Sequence, residues 1–557
     1  MIEENKKEFL NIASYLTRMA RLQPDAPAIL CPDGRGSDGK IRYQQISYAE
    51  LDRQSSAIAH GLRHFGIGRG MRTVLMVRPS LELFSLTFGL FKAGVIPVML
   101  DPGIGLRHLK GCLAQVQAEA FIGIPTAHAA RLLLGWGRGT VKQVVTVGRR
   151  WFWGGPTLKN LVVAGRDKES SDMAVTKAED IAAILFTSGS TGPPKGVIYQ
   201  HRNFVAQVEI IREIYAIEPG EIDLPTFPLF ALFDPAFGMT TIIPDMDASR
   251  PAAVDPRKII EAIETFQVTN MFGSPALLNT VGHYGQKHGI KLPSLRRVIS
   301  AGAPVAIAVQ ERFLQMLEPG AQIHTPYGAT ESLPVSSANS SLLLQTEIRQ
   351  RCDRGGGICV GLPIDAATVR VIEISDEAIE SWSDATELAG GEIGEITVAS
   401  PTVTHQYYNR DRATRLAKIR DGMTIVHRMG DLGYFDAQGR LWFCGRKAHR
   451  VNTAEGTLFS VPCEGIFNSH PAVFRSALVG VPGGTVQNPL VCIELEQQHR
   501  NIDQERLFKE LRALASQNDI TRSIERFLVH PGFPVDVRHN AKISREHLAH
   551  WAERRLA

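Results

Sequence analysis

The sequence lacks the features that mark secreted, membrane-spanning or nucleic-acid-binding proteins. Its seven cysteines form no CxxC pair, which favours reduced, buried thiols over a disulfide framework or a thiolate zinc site. No apolar run reaches about 18 residues, so we expect no membrane span. The first residues, MIEENKKEFLNIAS, lack an apolar signal core, and the expected location is the cytoplasm. Lys and Arg number 61 against 57 Asp and Glu, a balance that predicts no nucleic-acid partner.

One loop is rich in residues that can bind phosphate, although it lacks the common nucleotide motifs. Between Thr187 and Gly196 stand two Ser, two Thr, three Gly, two Pro and Lys195, directly after the apolar run 184–186. Gly and Pro oppose a helix, so the segment predicts a strand that opens into a loop of hydroxyls and free backbone N–H groups. Gly196 follows Lys195 where a P-loop has Ser or Thr, and the loop has neither GxGxxG nor GxSxG spacing. A flexible Gly/Ser linker is the alternative, but the two prolines make it a poor one.

The first hundred residues alternate between helix and strand patterns. Ser47 and Glu50 form a capping box ahead of a helical apolar repeat, and a short strand is expected at 73–77. A helix at 79–94 and a strand at 95–100 follow, an order that indicates a parallel α/β sheet. The turn in FDAQGRLWFCG, residues 435–445, predicts antiparallel hairpin material instead.

A domain boundary is expected near residues 446–450. Beyond it, strand patterns and amphipathic segments such as 503–517 start again. We therefore predict a large N-terminal domain, 1–446, and a small C-terminal domain, 447–557.

Five segments in chain order resemble the signature motifs of the acyl-adenylate-forming superfamily, which includes acyl-CoA synthetases, peptide-synthetase adenylation domains and luciferases. The segments are TSGSTGPPKGV (187–197), SAGAPV (300–305), YGATES (327–332), GDLGYFDAQGRLWFCGR (430–446) and HNAKISR (539–545). The resemblance implies a large N-terminal domain of parallel α/β sheets with a β-barrel-like subdomain, and a small mobile α+β C-terminal domain. It also implies an AMP-forming ligase that uses ATP and Mg²⁺.

The resemblance assigns these motifs roles in making an acyl adenylate, the mixed anhydride of a carboxylic acid and AMP. The β- and γ-phosphates would contact Thr187, Ser188, Gly189, Ser190, Thr191, Gly192 and Lys195. The adenine would lie between Tyr327 and the segment Gly302, Ala303 and Pro304, and the nucleotide-binding set also includes Gly328 and Ala329. Thr330 would contact the α-phosphate, Glu331 would hold Mg²⁺, Asp431 and Arg446 would bind the ribose, and Lys542 would reach the carboxylate and the α-phosphate.

The transition state of adenylation spreads negative charge over phosphoryl oxygens, so cations and fixed donors must surround it. The implied catalytic residues are Lys542, Glu331, Thr187 and Lys195.

The loop after Arg446 departs from the pattern of the superfamily. Ala448 and His449 occupy the places of two acidic hinge residues, and Glu455 and Thr457 replace a glycine and a basic residue. In acyl-CoA synthetases this loop lines the path of the thiol, so its alteration puts transfer to CoA in doubt. Sequence drift within an ordinary CoA ligase is the alternative explanation.

Two basic residues lie beside Ala448 and His449 in the sequence. We expect the flanking Lys447 and Arg450 to be solvated surface or turn residues.

The whole pattern is most similar to the β-lactone synthetase subfamily of bacterial long-chain olefin biosynthesis. That resemblance implies a long-chain 2-alkyl-3-hydroxy fatty acid as substrate: the carboxylate is adenylated, and its own β-hydroxyl then attacks the acyl carbon and expels AMP. It also implies pathway companions, namely a thiolase, a reductase and a β-lactone decarboxylase. The rival readings are a long-chain fatty-acyl-CoA or fatty-acyl-AMP ligase and, more remotely, an inactive acyl or nucleotide sensor.

An aromatic-rich run offers material for an acyl pocket. Its members are Phe227, Leu229, Phe230, Leu232, Phe233 and Phe237. Such side chains line an apolar pocket or fill the core, and the sequence leaves both open for each of them. No base for the β-hydroxyl stands out, and His201, His405 and His427 are weak candidates.

Overall fold

The computed structural model describes residues 9–100, 104–166, 173–187, 194–484, 486–535 and 543–556. The strands are β1 Pro27–Arg35, β2 Ile41–Ser47, β3 Arg72–Met76, β4 Ile96–Leu100, β5 Ala120–Gly123, β6 Gln143–Thr146, β7 Ile181–Thr187, β8 Lys195–Gln200, β9 Ile222–Pro225, β10 Thr240–Ile242, β11 Asn270–Phe272, β12 Arg297–Ile299, β13 Gln322–Ala329, β14 Ser332–Asn339, β15 Ile358–Pro363, β16 Thr368–Ile372, β17 Gly394–Ala399, β18 Lys418–Asp421, β19 Thr424–Phe435, β20 Leu441–Arg446, β21 Val451–Thr453, β22 Gly456–Leu458, β23 Val473–Gly483, β24 Val486–Leu495 and β25 Phe527–Val529.

Helices alternate with these strands over much of the chain. They are α1 Ser14–Leu22, α2 Tyr48–His64, α3 Leu81–Ala93, α4 Leu106–Val116, α5 Pro125–Leu134, α6 Leu158–Gly165, α7 His201–Ile214, α8 Pro228–Ala231, α9 Asp234–Phe237, α10 Pro256–Phe266, α11 Pro275–His288, α12 Ile307–Leu314, α13 Ser340–Leu343, α14 Thr346–Arg351, α15 Asp411–Ala417, α16 Ser460–Asn468, α17 Gln504–Ser516 and α18 Arg545–Leu556.

The first sheet has the strand order β6-β5-β3-β4-β7-β8 and is parallel except for the last pair. Local sequence signals begin and end its helices as expected. Ser47 and Glu50 complete the capping box of α2, which satisfies two backbone N–H groups at the helix start. Gly94 ends α3 in a left-handed conformation, with φ of 69°.

The second sheet joins a parallel part to an antiparallel part. Strands β1, β10, β9, β11, β12 and β13 are mutually parallel neighbours, and β13 then pairs with β14 in antiparallel fashion. The antiparallel strands continue through β15, β20, β19, β17 and β16 along the same sheet. The expected α/β class is therefore confirmed, and the strands expected in a barrel-like subdomain extend the parallel strands without a break.

A smaller sheet follows Arg446. It consists of β23, β24 and β25, and helices α16 and α18 pack against β23. The predicted amphipathic segment 503–517 contains α17, whose N-cap Asp503 accepts a hydrogen bond from the backbone of Glu505. The expected domain boundary near 446–450 stays a prediction.

The largest hydrophobic core connects the two large sheets. Ile29 of β1 and Val197 of β8 belong to it, together with Phe88 of α3 and Phe204 of α7. All seven cysteines are free, and six of them are buried. Within the described ranges, no helix has both the length and the apolar character needed to cross a bilayer.

Candidate active site

A cavity of about 1040 Å³ is lined by residues from both large sheets. The residues of the predicted nucleotide motifs that line it are Lys195, Gly302, Ala303, Pro304, Tyr327, Gly328, Ala329, Thr330, Glu331, Asp431 and Arg446. Its apolar lining comes largely from α3 and from the segment 227–236. The fold thus brings the nucleotide motifs and the aromatic-rich run to one cavity.

The two described ends of the phosphate loop face each other. Thr187 ends β7 and Lys195 begins β8, and the two residues are register partners in this antiparallel pair. The Lys195 ammonium lies over the ring of Tyr407, 5.0 Å from its centroid. Lys195 also lines the cavity.

The carboxylate of Glu331 lies at the turn between β13 and β14. Its Oε1 accepts a hydrogen bond from the Tyr407 hydroxyl, and its backbone oxygen accepts one from the N–H of Thr404 at 2.9 Å. Burial alone would raise the pKa of Glu331, but His427, the Tyr407 hydroxyl and Lys418 outweigh it and hold the pKa below its usual value. Glu331 therefore stays ionised, as a ligand for Mg²⁺ must be.

A single carboxylate suits Mg²⁺ when the remaining ligands are phosphate oxygens and water. Among the described residues no group of three or more His, Cys, Asp or Glu side chains could hold a metal by itself. Glu331 and an incoming polyphosphate together fit the ion.

Asp431 is held in place by two neighbours. It lies on β19 directly opposite Arg446 of β20, and the guanidinium Nη1 stands 3.0 Å from its Oδ1. The Tyr327 hydroxyl donates to Oδ2 at 2.7 Å. These contacts fix the carboxylate of Asp431 on the wall of the cavity.

The expected adenine segments flank the same region. Gly302 follows β12 and has φ of 91°, a conformation that favours glycine. At Gly328 a Cβ atom would lie 2.6 Å from the backbone oxygen of Ser332, so a larger residue would force the β13–β14 turn open. The Tyr199 hydroxyl donates to the backbone oxygen of Thr330 and supports that turn.

Two buried bases stand near Glu331. His427 lines the cavity, and its Nδ1 donates to the backbone oxygen of Ala417 at 3.0 Å. Burial and the neighbouring Lys418 lower the pKa of His427 to about 3, so the imidazole is neutral at pH 7. Burial lowers the pKa of Lys418 to about 7, and its Nζ has no hydrogen-bond partner among the described residues.

Of the three candidate histidines, His427 is the one that lines the cavity. His201 accepts a hydrogen bond from the N–H of Ile12, and His405 pairs with Arg202. Burial lowers the pKa of both to about 4. These contacts indicate structural roles for His201 and His405, and neither of the two lines the cavity.

Most of the aromatic-rich run lines the cavity. The sequence had left open whether these residues line a pocket or fill the core. The lining members are Phe227, Leu229, Phe230, Leu232 and Phe233. Phe230 stacks on Phe272, with centroids 4.4 Å apart, and Phe233 meets the edge of Phe204. Phe237 is different, because it is buried in the core at 5% exposure and does not line the cavity.

Lys447 and Arg450 are half-buried and form ion pairs, so the expectation that they are solvated surface was wrong. Lys447 Nζ stands 3.0 Å from Oε2 of Glu395, a buried carboxylate that also binds Arg428 at 2.6 Å. Arg450 pairs with Asp376. The partners lie on β17 and in the loop before it, which sequence spacing alone does not reveal. These ion pairs tie the altered loop to the large sheet.

Several predicted site residues lie outside the described residues. They are Ser188, Gly189, Ser190, Thr191, Gly192 and Lys542. Close to the last of these, Arg545 begins α18 and binds both carboxylate oxygens of buried Glu464 at 2.7 Å. The roles of the undescribed residues stay predictions.

Residues 16–408 match the family model described as AMP-binding enzyme. The chain belongs to the AMP-binding enzyme family. It is 53% identical over 548 residues to an olefin β-lactone synthetase of Xanthomonas campestris pv. campestris, with 97% of each chain covered. It is 52% identical over 553 residues to an olefin β-lactone synthetase of Stenotrophomonas maltophilia, with 98% of each covered. Within the AMP-binding enzymes, it therefore belongs to the family of these two proteins.

A solved structure shows the same fold at lower identity. The amide bond synthetase McbA from Marinactinospora thermotolerans superposes with a TM-score of 0.78 and 22% identity, covering 97% of this chain and 99% of McbA. The long-chain-fatty-acid–CoA ligase of Salmonella typhimurium is 25% identical over 515 residues, covering 87% and 85%. The AMP-binding fold thus extends over nearly the whole chain.

Sequence reasoning missed residues that complete this AMP-binding site. Tyr407 binds Glu331 and Tyr199 binds the Thr330 backbone, yet they stand 76 and 131 residues from those partners. Lys418 is likewise remote in sequence from Glu331. The sole available signal was weak: two adjacent tyrosines at 407 and 408, with no motif around them.

Proposed function

We propose that this AMP-binding enzyme converts a long-chain 2-alkyl-3-hydroxy fatty acid into a β-lactone, with ATP cleaved to AMP and diphosphate. The observation that carries the proposal is identity above 50% over at least 97% of the length of two olefin β-lactone synthetases. The gathered cavity residues support it, since they supply an ionised carboxylate, a lysine and an apolar lining around one space. A place in the cytoplasm and the olefin-pathway companions remain part of the proposal.

The first half-reaction joins the acid to AMP. A carboxylate oxygen attacks the α-phosphorus of ATP, and the bond to diphosphate breaks. Lys195 and Lys542 would offset the charge on phosphoryl oxygens, while Asp431 and Arg446 orient the ribose. Mg²⁺ bound to Glu331 would neutralise phosphate charge and hold the diphosphate leaving group. Binding the ribose at two points fixes the α-phosphorus relative to the carboxylate.

The second half-reaction closes the ring. The β-hydroxyl oxygen bonds to the acyl carbon, the acyl–AMP bond breaks, and the hydroxyl proton is lost. Both groups belong to one molecule, and such reactions reach effective molarities on the order of 10⁵ M. That gain helps to offset the strain of a four-membered ring. No external thiol takes part, which is consistent with a loop after Arg446 that is fastened by Lys447 to Glu395.

The apolar lining would receive the alkyl chains. Phe230 stacks on Phe272, and Phe233 meets the edge of the Phe204 ring. Burying alkyl carbons there gains about 0.8 kcal/mol per CH₂ group, enough to select long chains over short ones.

The test is an incubation of the purified protein with a racemic 2-alkyl-3-hydroxy acid, ATP and Mg²⁺, with and without CoA. We expect lactone, AMP and diphosphate without CoA. Product that appears only when CoA is present would instead support a long-chain acyl-CoA ligase. Absence of diphosphate under every condition would support a nucleotide or acyl sensor.

A pair of lysine variants tests the predicted catalytic lysine. Lys542→Ala should lose adenylation by about 10²–10³ while ATP binding stays measurable. Lys509→Ala removes an exposed lysine of α17 and should leave the rate unchanged. Full adenylation activity in Lys542→Ala would refute the role of that residue.

A further inference from the structure

One long segment of the chain, which includes β5 and β6 of the first sheet, has basic residues but no acidic ones. Residues 120–166 contain no Asp or Glu, whereas the chain as a whole has 57 acidic against 61 basic residues. The same stretch contains Arg131, Arg138, Lys142, Arg149, Arg150, Lys159 and Arg166. Such a local excess of one sign creates a positive field that the whole-chain balance hides.

The same stretch exposes large apolar side chains. Leu133 of α5 is 86% exposed and Phe152 is 82% exposed, and they are accompanied by Trp151, Leu132 and Leu134 at 42–50%. Scattered exposed apolar residues are ordinary, but five within 21 positions form a patch that needs a reason. We call these five residues the apolar patch.

Ring contacts connect helix α5 to the loop after β6. His128 of α5 stacks on Trp153 with centroids 5.1 Å apart, and Leu132 lies one helical turn further along α5. Trp151 and Phe152 contact the same Trp153 ring, at 5.3 and 5.5 Å. Helix α5 and the loop after β6 are therefore in contact at the Trp153 ring.

Exposed cations lie near the apolar patch in the sequence. Arg138, Lys142, Arg149, Arg150 and Lys159 are all exposed. None of them forms an ion pair with any carboxylate in the part of the chain that the structure describes, and Arg150 donates to the backbone oxygen of Gly155. Their charges are available to an external anionic surface.

The apolar patch is separate from the reaction site. It lies at the edge of the first sheet, where β6 is the last strand, and none of its residues lines the cavity. Substrate binding in the cavity therefore does not account for it.

We propose that the apolar patch binds the surface of an anionic lipid bilayer. Trp, Phe and Leu side chains insert at the boundary between headgroups and acyl chains, and Arg and Lys around them attract anionic headgroups. The absence of any acidic residue over 47 positions favours a uniformly negative lipid surface over a protein partner, whose surface charges are mixed. No spanning helix is involved, and the contact is reversible.

The experiment is vesicle flotation of the full chain. Vesicles of phosphatidylcholine alone are compared with vesicles of equal amounts of phosphatidylcholine and phosphatidylglycerol, at low and high salt. We expect the wild-type protein to float with the anionic vesicles at low salt and to be released by salt. Failure to float with anionic vesicles at low salt would overturn the proposal.

Matched variants assign the binding to the apolar patch. The double variant Leu133→Ser/Phe152→Ser and the double variant Arg149→Gln/Arg150→Gln should each weaken anionic-vesicle binding by about tenfold or more. Met423→Ser, a fully exposed apolar residue in the β18–β19 turn, is the control and should bind as the wild type does. ATP–diphosphate exchange, measured on all variants, shows that the surface changes leave the fold and the reaction intact.

Alternative roles of the apolar patch would give different results in these measurements. If both double variants float as well as the wild type, the apolar patch does not bind lipid and the proposal is wrong. If the wild type ignores vesicles, while Leu133→Ser/Phe152→Ser alters its sedimentation coefficient, the patch is an interface between copies of this chain. Loss of lactone formation would concern the proposed function alone, because flotation requires no substrate.

Discussion

Asp431→Ala is the substitution that tests the nucleotide site most sharply. The Asp431 carboxylate is 2% exposed, accepts a hydrogen bond from the Tyr327 hydroxyl at 2.7 Å and forms an ion pair with Arg446 at 3.0 Å. We propose that it also accepts a hydrogen bond from each of the two ribose hydroxyls. A hydrogen bond to a charged group contributes about 1.5–3 kcal/mol, so losing both would cost about 3 kcal/mol or more. We therefore expect kcat/KM for ATP to fall by about 10²–10³.

The assay is ATP–diphosphate exchange at saturating acid, run with ATP and with 2′,3′-dideoxy-ATP. The wild type should discriminate strongly between the two nucleotides, because only ATP offers hydroxyls to Asp431. The Asp431→Ala variant should accept both at a similar low rate. Asp421→Ala, in the exposed pair with Arg370, is the matched control and should retain discrimination.

One result would refute the reasoning about the ribose. If Asp431→Ala still prefers ATP over the dideoxy nucleotide as strongly as the wild type, then another residue reads the hydroxyls. Thermal denaturation of each variant separates this outcome from unfolding, since Arg446 loses its partner in Asp431→Ala.

Three further substitutions probe the surroundings of the site. Tyr407→Phe removes a donor that holds the pKa of Glu331 low, so the acid limb of kcat/KM against pH should move to higher pH; an unmoved limb would contradict the contact. Lys418 has a pKa lowered to about 7, so the unfolded state binds more protons between pH 7 and about 10, and stability rises with pH in that window. Lys418→Met should remove that rise, measured as Tm at several pH values; a Tm difference from the wild type that is independent of pH would argue against a buried, titrating amine. Lys447→Met removes one cation from Glu395 and should lower the free energy of unfolding by about 1.5 kcal/mol. Trypsin should also cleave faster near residues 446–450. An unchanged Tm and an unchanged cleavage rate would show that the ion pair does not hold the loop in place.

Much of the candidate site was predictable because its residues stand in short, contiguous strings. Segment 327–332 forms the end of β13 and the turn into β14, so neighbours in sequence are neighbours in space. Segment 430–446 contains both strands of one hairpin, which places Asp431 opposite Arg446. Alternation of strand and helix in the first hundred residues likewise predicted the parallel part of the first sheet.

The parts that escaped prediction depend on contacts between distant segments. The donor to Glu331 is Tyr407, and no local pattern around residue 407 indicates that partner. Lys447 looked like a surface lysine because its partner Glu395 stands 52 residues earlier, on β17. Phe233 and Phe237 differ by one helical turn, and the packing around the short helix α9 sends only the first to the cavity.

The sequence also did not predict that the second sheet is continuous. Hairpin signals predict antiparallel strands, but they do not reveal that β14 pairs with β13 and so joins the antiparallel part to the parallel part. That single pairing positions Glu331, since the turn between the two strands carries it.

The central claim is that the carboxylate, and not the β-hydroxyl, is the group joined to AMP. Its most direct test is mass spectrometry of the products from a 2-alkyl-3-hydroxy acid labelled with ¹⁸O in both carboxylate oxygens, incubated with ATP and Mg²⁺ and without CoA. Attack of the carboxylate on the α-phosphorus predicts one ¹⁸O in AMP and one in the lactone carbonyl. Unlabelled AMP, with both ¹⁸O atoms retained in the acyl product, would contradict the account.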